Sequence, residues 1–459
     1  MITMRKFLIL GAAVSLFVAL AHAQSRGGNW PTYAGDAQRS GWVGADARIT
    51  KETVKDLQLL FKLKLETQAK GTRPLMPPVI LGRLISYRGF RELAFVGSNA
   101  DLVYAIDADL GTVFWQKHLE YSTRDPQVTT STAECPGGMT AMPTMPIAGT
   151  AAPQRGGPFS TGPASVYAIS SDGRLHRLNT STGDDVVQPV QVLPANTKAA
   201  NLNLINNVIY TVTSSGCNET ADAVWAIDLT ADVPKVSSYG LKSGESSAAG
   251  GPVIGADGTV YVRTSERLLA LTGADLAPKG SFAAPGEASP AVFQYKNREL
   301  LVVADKEGLL SVFDASLFRG NLIAPLSQTA VGNPVSGNLS TWQDAAGVRW
   351  IFAPSNKAIT AYKIEEQGGK PVLTQGWVSR EMSSPMQPVI TSGVVFAVTA
   401  GGSRATLYVL DAATGKELYS SRNLIGGPAS LAGISASNGR VYFGTRDGTF
   451  YAFGMYLEH

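Results

Sequence analysis

One short strand-like phrase recurs eight times along the 459-residue sequence. Most copies are rich in β-branched and aromatic residues, as in Val-Tyr-Ala-Ile-Asp at 103–107, and no copy shows the 3.6-residue period of an amphipathic helix. A second β-rich run precedes most copies across turn pairs such as Asp172-Gly173, which indicates hairpins. The copies occupy residues 103–107, 175–179, 224–228, 268–272, 310–314, 359–363, 408–411 and 450–454.

The spacing of these copies predicts the architecture. After a first interval of about 72 residues, successive copies lie about 42 to 49 residues apart, and about 40 to 50 residues is typical of a propeller blade. A single four-stranded sheet cannot bury both of its faces, whereas eight sheets around an axis bury them against one another. The sequence therefore predicts an all-β protein with an eight-bladed β-propeller of four-stranded antiparallel blades.

The last copy lacks a following outer strand, so the ring needs a strand from elsewhere. The leucine-rich run at 57–65 alternates from Phe61 onward and has no partner of its own. We expect this N-terminal strand to pair into the eighth blade and close the propeller, because an unpaired edge would let the ring fray.

The first residues have the features of an export signal. Arg5 and Lys6 precede an apolar run at 7–20 and an Ala-His-Ala cleavage site, which predicts a signal peptide at 1–23 and a single propeller at 24–459. An N-terminal membrane anchor is the alternative, but the run is shorter than the about 18 to 20 residues that a span needs. We expect a soluble, monomeric bacterial protein without a membrane span, periplasmic or extracellular after cleavage.

The net charge of +3 has no clustered basic face, which gives no support for nucleic-acid binding. The two cysteines, Cys135 and Cys217, can form a disulfide in an exported protein, but the sequence leaves their pairing open. Two cysteines and four histidines show no metal-ligand spacing, so no metal site is predicted from them.

The long first interval predicts an insertion at about 121–161, rich in Pro, Gly, Thr, Ser and Met. Long loops in compact domains are often functional, so this segment either covers one mouth of the axial channel or is a surface excursion. Its sulfur-bearing residues are a candidate Cu(I) lid, with an apolar loop anchor as the favoured alternative. They are Cys135, Met139, Met142 and Met145.

The repeats resemble those of quinoprotein, or pyrroloquinoline-quinone-type, propellers, whose pattern is Ala-x-Asp-x-x-Thr-Gly followed by Trp. The copy at 105–115 keeps the alanine, aspartate, glycine and tryptophan, with Leu110 in the threonine place. The copy at 409–415 keeps Asp411, Thr414 and Gly415. The N-terminal phrase Trp-Pro-x-Tyr-x-Gly-Asp at 30–36 is also similar to the start of these proteins, so the resemblance covers nearly all of the mature chain.

The resemblance implies a quinone and a calcium ion on the propeller axis, as in quinoprotein alcohol dehydrogenases. Lys306 matches the place of the basic residue that contacts the quinone, although a turn lysine is often merely solvated. Glu219 is an offset match to a calcium ligand and otherwise lies in an exposed hairpin. Glu287 is a weak candidate for the general base.

Other positions of that site are missing. The stretch 262–266 has no asparagine to bind calcium, and 243–249 has no aromatic residue on which a quinone would stack. The catalytic site is therefore expected to be degenerate.

Two hypotheses follow. The first is an exported, non-catalytic platform that binds a protein or small ligand on the loop-bearing face of the propeller. The alternative is a pyrroloquinoline-quinone-dependent alcohol or sugar oxidoreductase with a diverged site that uses Glu219, Glu287 and Lys306. Fold alone does not decide between them.

Overall fold

The computed structural model describes residues 28–44, 46–68, 71–86, 89–119, 138–147, 164–214, 221–248, 250–319 and 323–455. These residues form eight antiparallel sheets, and the predicted eight-bladed propeller is confirmed. Two short 3-10 helices, Val54–Asp56 and Ala315–Leu317, are the helices of this part of the chain. None of its helices is long and apolar enough to cross a bilayer. The predicted signal peptide at 1–23 lies outside the described residues.

Within each blade, chain order runs from the innermost to the outermost strand, except that the outermost strand of blade 8 is β1. Blade 1 contains β2 (Val79–Ser86), β3 (Gly89–Ser98), β4 (Leu102–Asp107) and β5 (Thr112–His118). Blade 2 contains β6 (Ser165–Ile169), β7 (Arg174–Asn179) and β8 (Val190–Gln191). Blade 3 contains β9 (Lys198–Ala199), β10 (Asn203–Ile205), β11 (Val208–Ser214), β12 (Ala223–Asp228) and β13 (Lys235–Gly240). Blade 4 contains β14 (Val253–Ile254), β15 (Val260–Arg263), β16 (Arg267–Leu271) and β17 (Pro278–Ala283).

The second half of the ring repeats the same plan. Blade 5 contains β18 (Ala291–Tyr295), β19 (Arg298–Ala304), β20 (Leu309–Asp314) and β21 (Ser327–Ala330). Blade 6 contains β22 (Ser340–Gln343), β23 (Arg349–Pro354), β24 (Ile359–Gln367) and β25 (Lys370–Val378). Blade 7 contains β26 (Val389–Thr391), β27 (Val394–Val398), β28 (Leu407–Asp411) and β29 (Glu417–Ser420). Blade 8 contains β30 (Ala429–Ser437), β31 (Arg440–Thr445), β32 (Thr449–Gly454) and β1 (Gln58–Lys64).

This path gives the propeller two different faces. Connections between blades and the turns between second and third strands lie on one face, which we call the loop-bearing face. Turns between the first two strands and between the last two strands lie on the opposite face. The assignment follows from the antiparallel order, because each strand reverses the direction of the one before it.

Closure occurs as predicted from the spare N-terminal strand. Strand β1 pairs antiparallel with β32, from Gln58 opposite Gly454 to Lys64 opposite Thr449. The pairing supplies the fourth strand of blade 8 and joins the two ends of the described chain. The prediction for run 57–65 is therefore confirmed.

Blade 2 departs from the regular plan. Its innermost position is occupied by Thr144, whose main chain exchanges two hydrogen bonds with Tyr167 of β6 (2.9 and 2.8 Å). The described part of the predicted insertion, 138–147, thus lies inside the ring. The methionines of this stretch are buried in the core, which supports an apolar anchor over a Cu(I) lid; they are Met139, Met142 and Met145. Cys135 and the rest of the insertion lie outside the described residues.

Aromatic rings of outer strands pack against turn glycines of the next blade. The Trp115 ring of blade 1 lies over Gly183, and its indole nitrogen donates to the Thr180 carbonyl (2.9 Å). Trp377 of blade 6 does the same over Gly415. A side chain at either glycine would lie within 2.8 Å of the ring, so these turns admit glycine alone.

The closing seam uses the same device with a phenylalanine. Phe61 of β1 lies over Gly111 of blade 1, where an added Cβ would be 2.7 Å from the ring. The ring also meets Phe450 of β32, with centroids 6.3 Å apart. Phe61 therefore joins both neighbours that its strand has to hold together.

We predict that Phe61→Ala weakens closure. Loss of this ring removes apolar contact at the blade 8 to blade 1 seam, so the free energy of unfolding should fall by about 2 to 3 kcal/mol. Urea unfolding followed by intrinsic fluorescence measures the change. Lys62→Ala, at an exposed position of the same strand, is the matched control and should leave the midpoint unchanged. Equal effects of the two substitutions would contradict a closing role for Phe61.

Candidate functional site

The axis of the propeller is filled by the chain itself. Residues 28–44 and 46–48, which we call the axial segment, enter at the opposite face, rise into the channel, reverse near 32–40 and descend again before β1. Main-chain hydrogen bonds of 2.7 to 2.9 Å tie the segment to inner positions of blades 1, 2, 4, 6 and 7. These bonds join Trp30 to Ile80, Pro31 to Met145, Ala37 to Ile254, Ser40 to Thr341 and Val43 to Ile390.

Two glycines allow the segment to reverse in so little space. Gly35 and Gly41 both have positive φ angles, 89° and 67°. An added Cβ at Gly41 would lie 2.6 Å from the Ser340 hydroxyl, so the close approach to blade 6 also requires glycine. The Gly-Asp of the N-terminal phrase therefore serves a turn inside the channel.

Arg39 fixes the top of the axial segment from within. Its guanidinium is buried and donates five hydrogen bonds of 2.7 to 3.3 Å, all to neutral oxygens. Burial lowers the pKa of Arg39 to about 10, with Tyr33 and Asp36 opposing the shift. The acceptors are the carbonyls of Pro252, Tyr33, Asn201 and Leu202 and the hydroxyl of Thr32.

Above Arg39, the Tyr33 ring reaches toward the loop-bearing face. Asn338 Nδ2, on the connection between blades 5 and 6, donates to the Tyr33 hydroxyl (3.2 Å). The ring leaves no space for a side chain at Gly433 of β30, where an added Cβ would lie 2.8 Å away. Burial raises the pKa of Tyr33, while Asn338, Arg73 and Arg39 lower it. The phenol therefore keeps its proton and remains a hydrogen-bond donor.

Three hydrogen-bond donors at this end of the axial segment have no acceptor among the described residues. The first is the Tyr33 hydroxyl. The second is the half-buried guanidinium of Arg73, which forms no ion pair with any described residue. The third is the Ser289 hydroxyl, 2% exposed and unpaired, while its main-chain nitrogen donates to Asn338 Oδ1 (2.8 Å). We call Tyr33, Arg73, Ser289 and Asn338 the axial mouth. Converging hydroxyls and a guanidinium are suited to an oxyanion such as a carboxylate.

Two of the residues predicted from the sequence lie on the same face, over blades 4 and 5. Lys306 is exposed in the β19–β20 turn, and its main-chain nitrogen donates to the Pro285 carbonyl (2.8 Å). Glu287 is exposed on the connection into β18. Their segments are adjacent, but no hydrogen bond or ion pair joins the two side chains. Glu219 and Cys217 lie outside the described residues, so their predicted roles stay predictions.

A buried arginine lies beneath these two segments. Arg263, at the end of β15, is 1% exposed and donates from Nη2 to the Ala304 carbonyl (2.7 Å). Its Nε and Nη1 have no partner in the described part of the chain. Burial lowers the pKa of Arg263 to about 10, and Asp305 opposes the shift. Arg263 therefore places a positive charge in the stretch 262–266, where the resemblance implies an asparagine that binds calcium.

At 243–249, where the resemblance implies an aromatic residue for a quinone to stack on, the structure has a buried carboxylate instead. Glu245, 2% exposed, accepts hydrogen bonds from Arg267 Nε and Nη2 (2.8 and 3.0 Å) and from the Thr264 hydroxyl (2.5 Å). Burial alone would raise the pKa of Glu245, but these hydrogen bonds outweigh it and the pKa is lowered. Glu245 thus locks the connection between blades 3 and 4 onto blade 4.

The described residues do not fit a calcium ion with a stacked quinone. Calcium requires about six to eight oxygen ligands, and no three Asp, Glu, His or Cys side chains in this part of the chain converge on one point. Glu245 is saturated by Arg267 and Thr264, and Arg263 would repel a divalent cation.

Comparison with known proteins agrees with the geometry of the ring. Residues 345–454 match the profile of a family described as outer membrane protein assembly factor BamB. The quinohemoprotein alcohol dehydrogenase from Comamonas testosteroni superposes with a TM-score of 0.61 at 16% identity, over 96% of this chain and 82% of that chain. The chain has the fold of the quinoprotein-like β-propellers.

Further structures share this quinoprotein-like fold. A europium-containing methanol dehydrogenase gives a TM-score of 0.63 at 12% identity, over 95% of this chain and 100% of that one. BamB from Moraxella catarrhalis gives 0.53 at 15% identity, over 87% and 99%. No curated protein matches the sequence. At these identities the likeness establishes the fold, and the site must be judged from its own residues.

Sequence reasoning about this quinoprotein-like propeller missed the axial mouth. Tyr33 belongs to the N-terminal phrase at 30–36 on which the resemblance rests, so the sequence could have indicated Tyr33 as a candidate residue of the site. Arg73, Ser289 and Asn338 lie on three separate connections, and no local pattern marks them. They meet only because the ring closes.

We predict that Glu245→Gln destabilises the propeller by about 3 kcal/mol at pH 7, because it leaves the half-buried Arg267 without its carboxylate. The lowered pKa of Glu245 stabilises the folded protein at pH values above 4.5, the ordinary pKa of a glutamate. This stabilisation is lost as pH falls through the pKa of Glu245 in the folded protein. The difference in free energy of unfolding between Glu245→Gln and wild type should therefore become smaller in acid. Urea unfolding at pH 7 and pH 3 measures it.

Glu287→Gln, an exposed glutamate on the next connection, is the control and should match wild type at both pH values. A Glu245→Gln gap that stays constant from pH 7 to pH 3 would contradict the assigned ion pair.

Proposed function

We propose that this quinoprotein-like propeller is an exported, periplasmic or extracellular binding platform that takes a carboxylate-bearing protein or small ligand on its loop-bearing face. The observation that carries the proposal is the axial mouth, where Tyr33, Ser289 and Arg73 offer donors without acceptors in the described chain. Burial lowers the pKa of Arg73, which reflects the cost of a cation without an anionic partner. A bound carboxylate would remove that cost.

The filled axis also favours a platform. Residues of the axial segment occupy the channel beneath the mouth, with Arg39 satisfied by five neutral oxygens. A ligand therefore meets a floor formed by Tyr33 and approaches from the loop-bearing side. Specificity would come from the surrounding connections, since a rigid ring holds loops in place for recognition.

The alternative is a pyrroloquinoline-quinone-dependent oxidoreductase with a diverged site. Lys306 and Glu287 on adjacent segments of the loop-bearing face, together with the dehydrogenase-like fold, favour it. Glu219 would have to complete this site as a calcium ligand. The buried Arg263 weighs against calcium there.

Titration with small carboxylates tests the platform. We expect acetate, succinate and benzene-1,3,5-tricarboxylate to bind with rising affinity, and Arg73→Gln to weaken the tricarboxylate by about tenfold or more, because it removes a charge-assisted pair. Isothermal titration calorimetry gives the affinities. Lys357→Gln removes an exposed lysine from the same face and should bind like wild type.

Two results would overturn the platform. One is carboxylate binding that is equal in Arg73→Gln and wild type. The other is stoichiometric, calcium-dependent binding of pyrroloquinoline quinone with dye reduction by alcohols or sugars that is abolished in Lys306→Ala. The second result would establish the oxidoreductase instead.

A further inference from the structure

Exposed arginines of the loop-bearing face lie around one connection. Residues 421–428 join the outer strand β29 of blade 7 to the inner strand β30 of blade 8, between the turns 399–406 and 446–448. Each of these three segments, which together we call the arginine strip, carries one exposed arginine. They are Arg404, Arg422 and Arg446, and none forms an ion pair with a described residue.

The positive charge of the arginine strip is not compensated within the strip. Its acidic residue is Asp447, which is already contacted by Lys64 Nζ (3.4 Å) and by the Thr449 hydroxyl (2.9 Å). The same face over blades 4 and 5 has a different balance, since three exposed glutamates lie there beside two exposed lysines. They are Glu266, Glu287, Glu307, Lys242 and Lys306. An acidic partner is therefore attracted to blades 7 and 8 rather than to the whole face.

The middle of the strip has no side chains, although the fold does not require this. Gly426 is exposed, and an added Cβ there would meet only the Tyr451 hydroxyl among the described residues, at 3.5 Å. At Gly427 the nearest atom would be an Asp447 carboxylate oxygen at 3.6 Å, and neither glycine has a positive φ angle. Glycines that neither packing nor backbone conformation demands are typical of a place where a ligand or another backbone approaches closely.

Hydrogen bonds hold this bare stretch in place. Three of them, 2.8 to 3.0 Å long, fix the backbone of residues 426–428 to blades 7 and 8. They join the Gly426 nitrogen to the Tyr451 hydroxyl, the Ala405 nitrogen to the Gly427 carbonyl and the Arg446 nitrogen to the Pro428 carbonyl. Arg446 Nε also donates to the Ala429 carbonyl (3.2 Å), which keeps the guanidinium beside the inner end of the strip. The surface is therefore formed before a partner binds.

Exposed leucines lie at both ends of the bare stretch. Leu424 is 50% exposed on the outer side, and Leu431 of β30 is 37% exposed on the inner side. The Leu431 nitrogen donates to the Thr72 carbonyl (2.9 Å), next to Arg73 of the axial mouth. The arginine strip thus leads from the rim of blade 7 to the axial mouth.

We infer that the arginine strip binds an extended, acidic segment of a partner protein. Carboxylates of the segment pair with Arg404 and Arg446, its backbone lies over the glycines, and its apolar side chains cover Leu424 and Leu431. The inference rests on the proposed platform function and names the class of partner. Exposed ion pairs contribute little individually, so the apolar contacts must supply part of the affinity.

Fluorescence anisotropy tests the inference with a labelled ten-residue peptide of glutamate, leucine and glycine. We expect this peptide to bind, and its versions with glutamine for glutamate or serine for leucine to bind about tenfold or more weakly. Arg404→Gln/Arg446→Gln and Leu424→Ser/Leu431→Ser should weaken the original peptide by a similar factor. Gly426→Leu should also block it, because the new side chain occupies the place of the peptide backbone.

Matched controls remove the same groups elsewhere on this face. Lys242→Gln/Lys357→Gln deletes two exposed lysines, and Gly332→Leu adds a leucine at an exposed glycine where an added Cβ has no described atom within 4 Å. Both should bind the peptide like wild type. Thermal unfolding of every variant checks that the ring is intact.

The inference is overturned if Gly426→Leu and Gly332→Leu bind the peptide equally, or if the serine version binds as well as the leucine version, since the strip would then only attract anions. It is also overturned if wild type binds none of the peptides. In that case, tricarboxylate binding that still depends on Arg73 retains the platform without the strip, whereas loss of both removes the platform as well.

Discussion

The pairing of β1 with β32 is the interaction on which the rest of the molecule depends. Each blade buries its faces only against its neighbours, so an open ring would expose two sheets and a free edge. Closure also brings Glu92 of blade 1 against Arg440 of blade 8 (3.0 Å), a buried ion pair that exists only at this seam. The first and last strands of the ring thus stabilise each other across almost the whole chain.

Closure and the candidate site have a common origin. To reach blade 8, the chain first passes through the channel, and this passage places Tyr33 and Arg39 on the axis. The axial segment satisfies the polar inner edges of the blades with its own main chain. The axial segment therefore blocks the channel below the axial mouth, and a ligand can bind only to the unpaired donors above it.

The sequence predicted the parts of the fold that repeat. The eight phrases became third strands or their equivalents because their alternation and spacing are local properties, and run 57–65 was recognisable as a strand without a partner. The inner position of blade 2 escaped prediction, because the Pro- and Met-rich stretch around Thr144 has no strand pattern. The axial mouth escaped because Arg73 and Asn338 are far apart in sequence. The two residues that the resemblance indicated, Lys306 and Glu287, lie on the loop-bearing face, but tertiary packing determines which groups surround them.

Hydrogen exchange measured by mass spectrometry tests the closed ring most directly. If β1 completes blade 8, the amides of β1 that donate to β32 exchange as slowly as those of β32 and are released with them in one cooperative step. If these amides of β1 exchange orders of magnitude faster than those of β32, the account is contradicted, because the ring would then be open.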